Sequence, residues 1–221
     1  MSLSDTQIPV ELMARAVAAS GFMPVHEGLA LYAAVRDHVG AGLVVEIGSY
    51  CGKSTIFLAA AARLTGATIV TVDHHRGSEE HQPGWQYHDP SLVEPLSGRL
   101  DTLFRFRRTI AEAGLEEQVV AVVGRSAAVA SFWRSPLTML FVDGGHTDDA
   151  ARADYEGWAP WLVAGGVLAI HDVFEDPRDG GQAPYRIFRR AVDGGEFEQF
   201  RRVGSLRLLR RVSGRLGAPA R

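Results

Sequence analysis

Four side chains in the second half of the chain have the types and spacing to do chemistry together. Asp143 and His146 lie in "LFVDGGHTDD", and His171 and Asp172 lie in "LAIHDVF". Each segment is an apolar, β-like run ending in a carboxylate and an imidazole. If the two runs are neighbouring strands, their ends bring Asp143 and Asp172 together although 29 positions separate them. Two carboxylates with room for waters suit a hard divalent cation such as Mg²⁺. The plainer alternative is that Asp143 contacts only a cofactor and Asp172 caps a helix. His171 is a less natural partner for Mg²⁺, because imidazole suits transition metals better; it stands as a third ligand or as a substrate contact. His146, with an ordinary pKa near ~6.5, can accept a proton at neutral pH. It could equally be a turn residue ahead of a helix capped by Thr147.

A second stretch, "EIGSYCGKST" at 46–55, is a glycine-rich turn after an apolar run. A phosphate-binding P-loop needs four residues between its first glycine and Gly-Lys-Ser/Thr, so that backbone N–H groups can wrap the phosphate. Here only Ser49, Tyr50 and Cys51 intervene, which argues against a kinase or GTPase. The dinucleotide pattern G-x-G-x-x-G fails too, since Tyr50 occupies the glycine position that admits a pyrophosphate. Asp73, 25 residues after Gly48, ends the next β-like run, in position to bind a ribose diol or merely to cap a turn. A ribose without a pyrophosphate describes S-adenosylmethionine (SAM).

These residues need a scaffold that gathers strand ends. Short runs rich in Val, Ile and Leu occur at Gly42–Ile47, Thr68–Val72, Gln118–Val123, Thr138–Val142 and Gly166–Ile170, as expected of strands buried on both faces of a parallel sheet. Helical patterns fill the gaps at Ser54–Leu64, Asp101–Ala113, Ala127–Trp133 and Asp148–Leu162, after two leading helices at Pro9–Ala19 and His26–Val39. The alternation predicts an α/β fold with a doubly wound, Rossmann-like sheet. The tail "EFEQFRRVGSLRLLRRV" predicts a closing antiparallel hairpin around Val203-Gly204. Residues 1–221 read as one domain, with 1–40 as N-terminal helices. Two polar loops, 74–100 and 174–184, follow strand ends, where open α/β sheets bind ligands.

Composition narrows the function classes. The 221 residues are 46% hydrophobic and 22% charged, with a net charge of −3, giving no electrostatic reason to expect nucleic acid or an anionic membrane as a partner. No apolar run approaches the ~20 residues of a membrane span, and the N-terminus lacks a signal-peptide layout. Cys51 is the only cysteine, which points to a reducing cytoplasm. Lys53 is the only lysine, so no other lysine can act as a base. The loop histidines His74, His75, His81 and His88 match no standard zinc spacing; with Trp85 and Tyr87 they read as a substrate-side lid, which assigns His74, His75 and Trp85 to substrate.

"EIGSYCGKS" resembles the first motif of class I SAM-dependent methyltransferases, and especially of the catechol-type, metal-dependent O-methyltransferases. The resemblance covers roughly residues 40–175, with the 74–100 loop and the two ends of the chain outside it. It implies that Glu46 and the turn through Gly48, Ser49, Tyr50 and Gly52 border the methionine part of SAM. Ser54 hydroxyl would meet its carboxylate, at a helix N-terminus that favours anions. "VVGRSAA" is similar to the segment that sets a serine, here Ser126, beside adenine. Carboxylates at the two strand ends, here Asp143 and Asp172, hold Mg²⁺ in that family, and the metal also binds substrate hydroxyl oxygens. The chain departs from the pattern twice: His171-Asp172 replaces Asp-Asn, and His146 stands where the family carries a lysine. The resemblance therefore implies that a divalent metal polarises a hydroxyl, His146 removes its proton, and the oxygen attacks the SAM methyl. Orientation would supply up to roughly 7–11 kcal/mol of the barrier reduction.

The Asp-Gly-x-His turn and the "HDV" ending are also similar to sugar O-methyltransferases of the macrolide and aminocoumarin kind. Those carry a second aspartate as base where this chain has Gly145. "DHHRGSEE…GW" resembles the methyltransferases of methylmannose polysaccharide synthesis, which implies a sugar or oligosaccharide acceptor and a 1-OH target. A catechol-like aromatic acceptor and a SAM-fold binding or hydroxylase-partner protein are the alternatives. An RNA or protein methyltransferase fits poorly with the net acidity. The families resembled are commonly homodimers.

Overall fold

The structure, a computed structural model, describes residues 7–219. Two helices lead, Val10–Ala18 (α1) and Val25–His38 (α2). The sheet is then laid down as Leu43–Ile47 (β1), Thr68–Asp73 (β2), Val119–Val123 (β5), Leu137–Val142 (β6) and Leu162–Ile170 (β7), with a short hairpin of Val93–Glu94 (β3) and Arg99–Leu100 (β4) inside the 74–100 segment. Helices Lys53–Thr65 (α3), Leu103–Glu112 (α4), Ser126–Phe132 (α5), Asp148–Trp158 (α6) and Ala183–Asp193 (α7) connect these strands. Strands Phe197–Val203 (β8) and Leu206–Arg211 (β9) close the chain.

The seven-stranded sheet has the order β5-β2-β1-β6-β7-β9-β8. The first five strands are parallel, and β9 pairs antiparallel with β7 and β8. The expected doubly wound sheet with a C-terminal antiparallel hairpin is therefore what forms. Alternating side chains of each strand feed two cores. Val44, Ile69, Met139 and Val167 pack against α1, α2 and α3. Val45, Val70, Leu140 and Leu168 pack against α5, α6 and α7. Chain order reverses between β1 and β6, so their carboxyl ends diverge and leave a crevice.

One boundary differs from the sequence pattern. The helix expected to reach Leu162 stops at Trp158, and the last parallel strand begins at Leu162 rather than Gly166. Pro160 has no N–H to continue the helix and restricts the residue before it, so the chain exits through a short 3₁₀ turn at Ala159–Trp161. The 74–100 loop is more ordered than its composition suggests. Leu92 and Leu100 pack with Cys51 under it and anchor it to the first glycine turn. Among the described residues no helix is long and apolar enough to cross a membrane.

Candidate active site

The site forms where β1, β2, β6 and β7 end. After β1 the backbone turns sharply: Gly48 N–H donates to Val72 carbonyl, and Asp143 N–H donates to Ile47 carbonyl. Gly48 has φ +83, and a Cβ there would collide with Asp143 carbonyl oxygen. Only glycine permits both the conformation and the close approach. The turn is held from below by Asp73, whose Oδ2 accepts from the N–H groups of Ser49 (3.1 Å) and Tyr50 (2.8 Å), and whose Oδ1 accepts from His75 N–H (2.7 Å). Three non-glycine residues adopt left-handed backbone: Tyr50 (φ 46), His75 (φ 57) and Asp172 (φ 54). All three border this crevice, where strain of about 1–3 kcal/mol per residue persists only because the surroundings over-determine it.

Glu46 lies beneath the turn with no exposed surface. Its carboxyl accepts from Ser54 hydroxyl (2.6 Å) and Thr55 hydroxyl (2.5 Å), tying β1 to the first turn of α3. Burial pushes Glu46 up to about 8, only partly opposed by those two hydroxyls. Ser54, 5% exposed, thus spends its hydroxyl inside the protein. Ser126 does likewise, accepting from Trp158 Nε1–H at 2.8 Å and bonding Asp154, whose burial raises it to about 6. Lys53 Nζ donates to Gly21 carbonyl (3.3 Å) and links α3 to the α1–α2 turn.

The acid–imidazole cluster sits across the crevice. Asp143, His146 and Asp172 each offer one ligand atom, and these atoms lie within 4.8 Å of one another. His146 Nε2 is 3.2 Å from Asp172, and its Nδ1 is 3.3 Å from Glu80. The hydrogen bond to Asp172 raises His146 to about 9, with burial opposing and the charges of Asp172, Glu80 and Asp143 adding. Burial works against charge on Asp172, but His146 and His171 hold its carboxyl well below the usual range.

His171 occupies a different position from the one its sequence suggests. It is 6% exposed, and both ring nitrogens are taken. Nδ1 donates to Asp143 (2.9 Å), and Nε2 donates to Glu27 (2.5 Å). Burial disfavours a charged ring, yet Asp143 and the hydrogen bonds to three carboxylates raise His171 well above its ordinary value. Both ring nitrogens of His171 are taken up by carboxylates in the interior, so the structure presents the less buried His146, not His171, as the third group beside the two aspartates.

Of the loop residues assigned to substrate, His75 requires correction. It is 2% exposed, its Nδ1 bonds Thr102 hydroxyl at 2.8 Å, and its ring packs on Phe106. The left-handed turn at His75 drives the side chain into the core of the loop instead of the cleft. His74 is half-buried, its Nδ1 accepting from Arg76 N–H, and Trp85 is exposed. The aromatic wall is instead Phe22, Tyr50, His81 and Tyr87: Tyr50 stacks on His81 (5.0 Å) and Phe22 meets Tyr87 edge-on (4.9 Å). A cleft of about 260 Å³ beside this wall is lined by Ser20, Phe22, Tyr50 and Tyr87 among others, and its lining includes none of Asp73, Asp143 and Asp172.

A family model described as a methyltransferase domain matches residues 45–173, more than half of the chain and the span that holds every strand-end residue above. The chain belongs to the methyltransferase domain family. Solved structures share its fold. Cofactor-bound Rv0187 from MTB is 18% identical over 92% of this chain and 88% of that one, with a TM-score of 0.63. The O-methyltransferase TomG from Streptomyces achromogenes, in complex with SAM, is 18% identical over 93% and 91%, with a TM-score of 0.62. The O-methyltransferase NovP is 18% identical over 86% and 81%, with a TM-score of 0.63.

Three groups in this methyltransferase escaped the sequence patterns. Phe22 joins the aromatic wall from the α1–α2 turn, Glu80 reaches His146 from the 74–100 loop, and Glu27 reaches His171 from α2. Only Glu27 left a signal. It precedes buried Ala30, Leu31, Ala34 and Val35 at helical spacing, and a carboxylate on an apolar face must have a buried partner.

Proposed function

We propose that this methyltransferase transfers the methyl group of SAM to a hydroxyl of a small hydroxylated acceptor, with a sugar as the first candidate. The observation that carries this reading is the convergence of Asp143, His146 and Asp172 within 4.8 Å, beside the glycine turn of a methyltransferase sheet. Two carboxylates on neighbouring strand ends fit a hard divalent cation, and Asp143 and Asp172 would hold it. When bound, such a cation polarises a hydroxyl and lowers its pKa.

The remaining work falls to the chain's own groups. The turn from Gly48 to Gly52 borders the methionine part of SAM, above Glu46. Asp73 has accepted three backbone bonds, which leaves about one of its roughly four acceptor positions for a ribose hydroxyl. Ser126 marks the adenine side. His146 takes the hydroxyl proton at Nε2, with Glu80 at Nδ1 to orient the ring and steady the imidazolium. The free Asp172 carboxylate is the first cause of the high His146 pKa, so neutralising Asp172 returns the imidazole toward its proton-accepting form. Neutral hydroxyls find acceptors at Asp73, Glu80, Asp143 and Asp172 and aromatic faces at Phe22 and Tyr87.

A SAM-consumption screen over catechol, monosaccharides and short mannosides tests the proposal, each acceptor with Mg²⁺ and with EDTA. Turnover of a sugar that EDTA abolishes and Mg²⁺ restores supports it. Turnover of catechol alone replaces the sugar reading with an aromatic one. Methyl transfer unaffected by EDTA rules out the metal.

A further inference from the structure

Glu27 is a carboxylate in the first turn of α2 that is 2% exposed. Two glycines make room for it. Gly28 brings α2 so close to α3 that a Cβ there would run into the Phe57 ring, and Gly204, at φ +54 in the β8–β9 turn, leaves space that a Cβ would deny to Glu27 Oε1. In that space Glu27 accepts from Ser205 N–H (2.6 Å), Ser205 hydroxyl (3.2 Å) and His171 Nε2–H (2.5 Å). Nearby His26 Nε2 stands 4.0 Å from Oε1. Burial alone would push Glu27 up, but His171 and Ser205 outweigh it and keep the carboxyl below its ordinary value.

We infer that Glu27 is a positioning residue for the acidic pair at the strand ends. It acts through His171. An imidazole ring has one free rotation that matters here, about its bond to Cβ. Anchoring Nε2 on Glu27 fixes that rotation, so Nδ1 points to Asp143 (2.9 Å) and lies 3.5 Å from Asp172. Without the anchor the ring is held on one side only, and the two carboxylates lose the donor that sets their mutual orientation. Asp172 is the more vulnerable, because its left-handed backbone (φ 54) is maintained by its surroundings. Partners that bond a ligand directly, as His171 bonds Asp143, commonly change metal affinity about 10–100-fold when lost, and Glu27 acts by holding that partner. The same carboxylate joins three parts that are distant in sequence: the leading helix, the closing hairpin and the centre. A simple staple between helix and hairpin would need only the Ser205 bonds; the third, to a ring whose other nitrogen faces Asp143, is what gives Glu27 its role in the site.

The inference rests on the proposed cation site, and the test separates the two. Mn²⁺ binding is measured by loss of the free-ion electron paramagnetic resonance signal for the wild type, Glu27→Gln and Ser205→Ala, with S-adenosylhomocysteine binding and melting temperature as readouts of folding. The glutamine oxygen stays with the fixed Ser205 N–H, as Oε1 does now, and its NH₂ then faces His171 Nε2–H, so the bond to the ring is lost. The expected result is Mn²⁺ affinity about 10–100-fold weaker in Glu27→Gln and within about twofold of wild type in Ser205→Ala, with S-adenosylhomocysteine affinity unchanged in both. Glu27→Asp, which withdraws the carboxylate by one methylene, serves if glutamine prevents folding, and an intermediate loss is expected of it. Equal Mn²⁺ affinity in Glu27→Gln and wild type overturns the inference and leaves the metal site standing. Failure of the wild type to bind Mn²⁺ removes the metal reading instead. A crystal structure of Glu27→Gln then decides the positioning role: a His171 ring turned from Asp143 upholds it, and an unmoved ring ends it.

Discussion

Replacing Glu46 by glutamine exchanges one oxygen for an NH₂ in a carboxyl group with no exposed surface, and removes its ability to ionise. Glu46 is held near 8 in the folded protein against an ordinary value of 4.5, chiefly by burial. The sign follows from linkage. A carboxyl whose folded pKa lies above its unfolded one binds more protons when folded, so its stabilisation is complete below 4.5 and is lost as pH rises through 8. The two values are about 3.5 pH units apart, and at roughly 1.4 kcal/mol per unit the wild type loses about 5 kcal/mol across that window. At pH 7 roughly 3–4 kcal/mol is already gone, a large part of an ordinary domain's stability. Ser54 and Thr55 hydroxyls can each turn to serve an amide as donor or acceptor, so glutamine keeps the link between β1 and α3. Urea unfolding of wild type and Glu46→Gln at half-unit steps from pH 4.5 to 9 reads the difference, because titrating groups that do not interact with Glu46 cancel; Asp143 and Asp73 are the ones that do. The variant should gain on the wild type by about 1.4 kcal/mol per pH unit and then level off above pH 8. Parallel curves for the two proteins would mean that Glu46 ionises in the fold as it does in water, and the argument from burial would be wrong.

Other outcomes follow from the same geometry. His146→Ala should lower kcat about 10²–10⁴-fold while S-adenosylhomocysteine affinity stays within twofold; undiminished turnover removes the base. His146 also links stability to pH. Its folded pKa is raised to about 9, so in metal-free protein its contribution is complete below 6.5 and fades as pH rises through 9, a decline that His146→Gln should abolish in unfolding curves. Gly48→Ala places a Cβ against Asp143 carbonyl at φ +83, and should cost about 2 kcal/mol or more of stability along with SAM binding; a well-folded variant with normal binding contradicts the packing of the turn. Phe22→Ala opens the aromatic wall beside a cleft whose lining does not include Asp143, so it should raise the acceptor KM and leave Mn²⁺ affinity unchanged.

Much of this protein is legible in its sequence, for local reasons. The apolar runs and helical spacings are periodic signals, and they located the parallel strands and the closing hairpin. The glycine turn at 46–55 excluded phosphate loops through one missing residue and a tyrosine, which are facts of spacing. Asp143, His146 and Asp172 stood out because polar residues that end apolar runs must lie at strand ends, and neighbouring strands then bring them within reach of each other. What the sequence could not decide was where a side chain points once it arrives there. His171 and His146 look alike as letters. Only the packing of α2 and the β8–β9 turn gives His171 its Glu27 partner and buries its ring, while His146 stays half-buried facing Asp172 and Glu80. Likewise a left-handed backbone turns His75 inward, and Phe22 completes the aromatic wall from far along the chain. Periodicity and spacing are properties of neighbours in sequence, so the chain by itself determined the elements and their ends. The partners of Glu27, Glu80 and Phe22 are set by long-range packing, and tertiary structure alone decided which imidazole is buried between carboxylates and which stays half-exposed at the crevice.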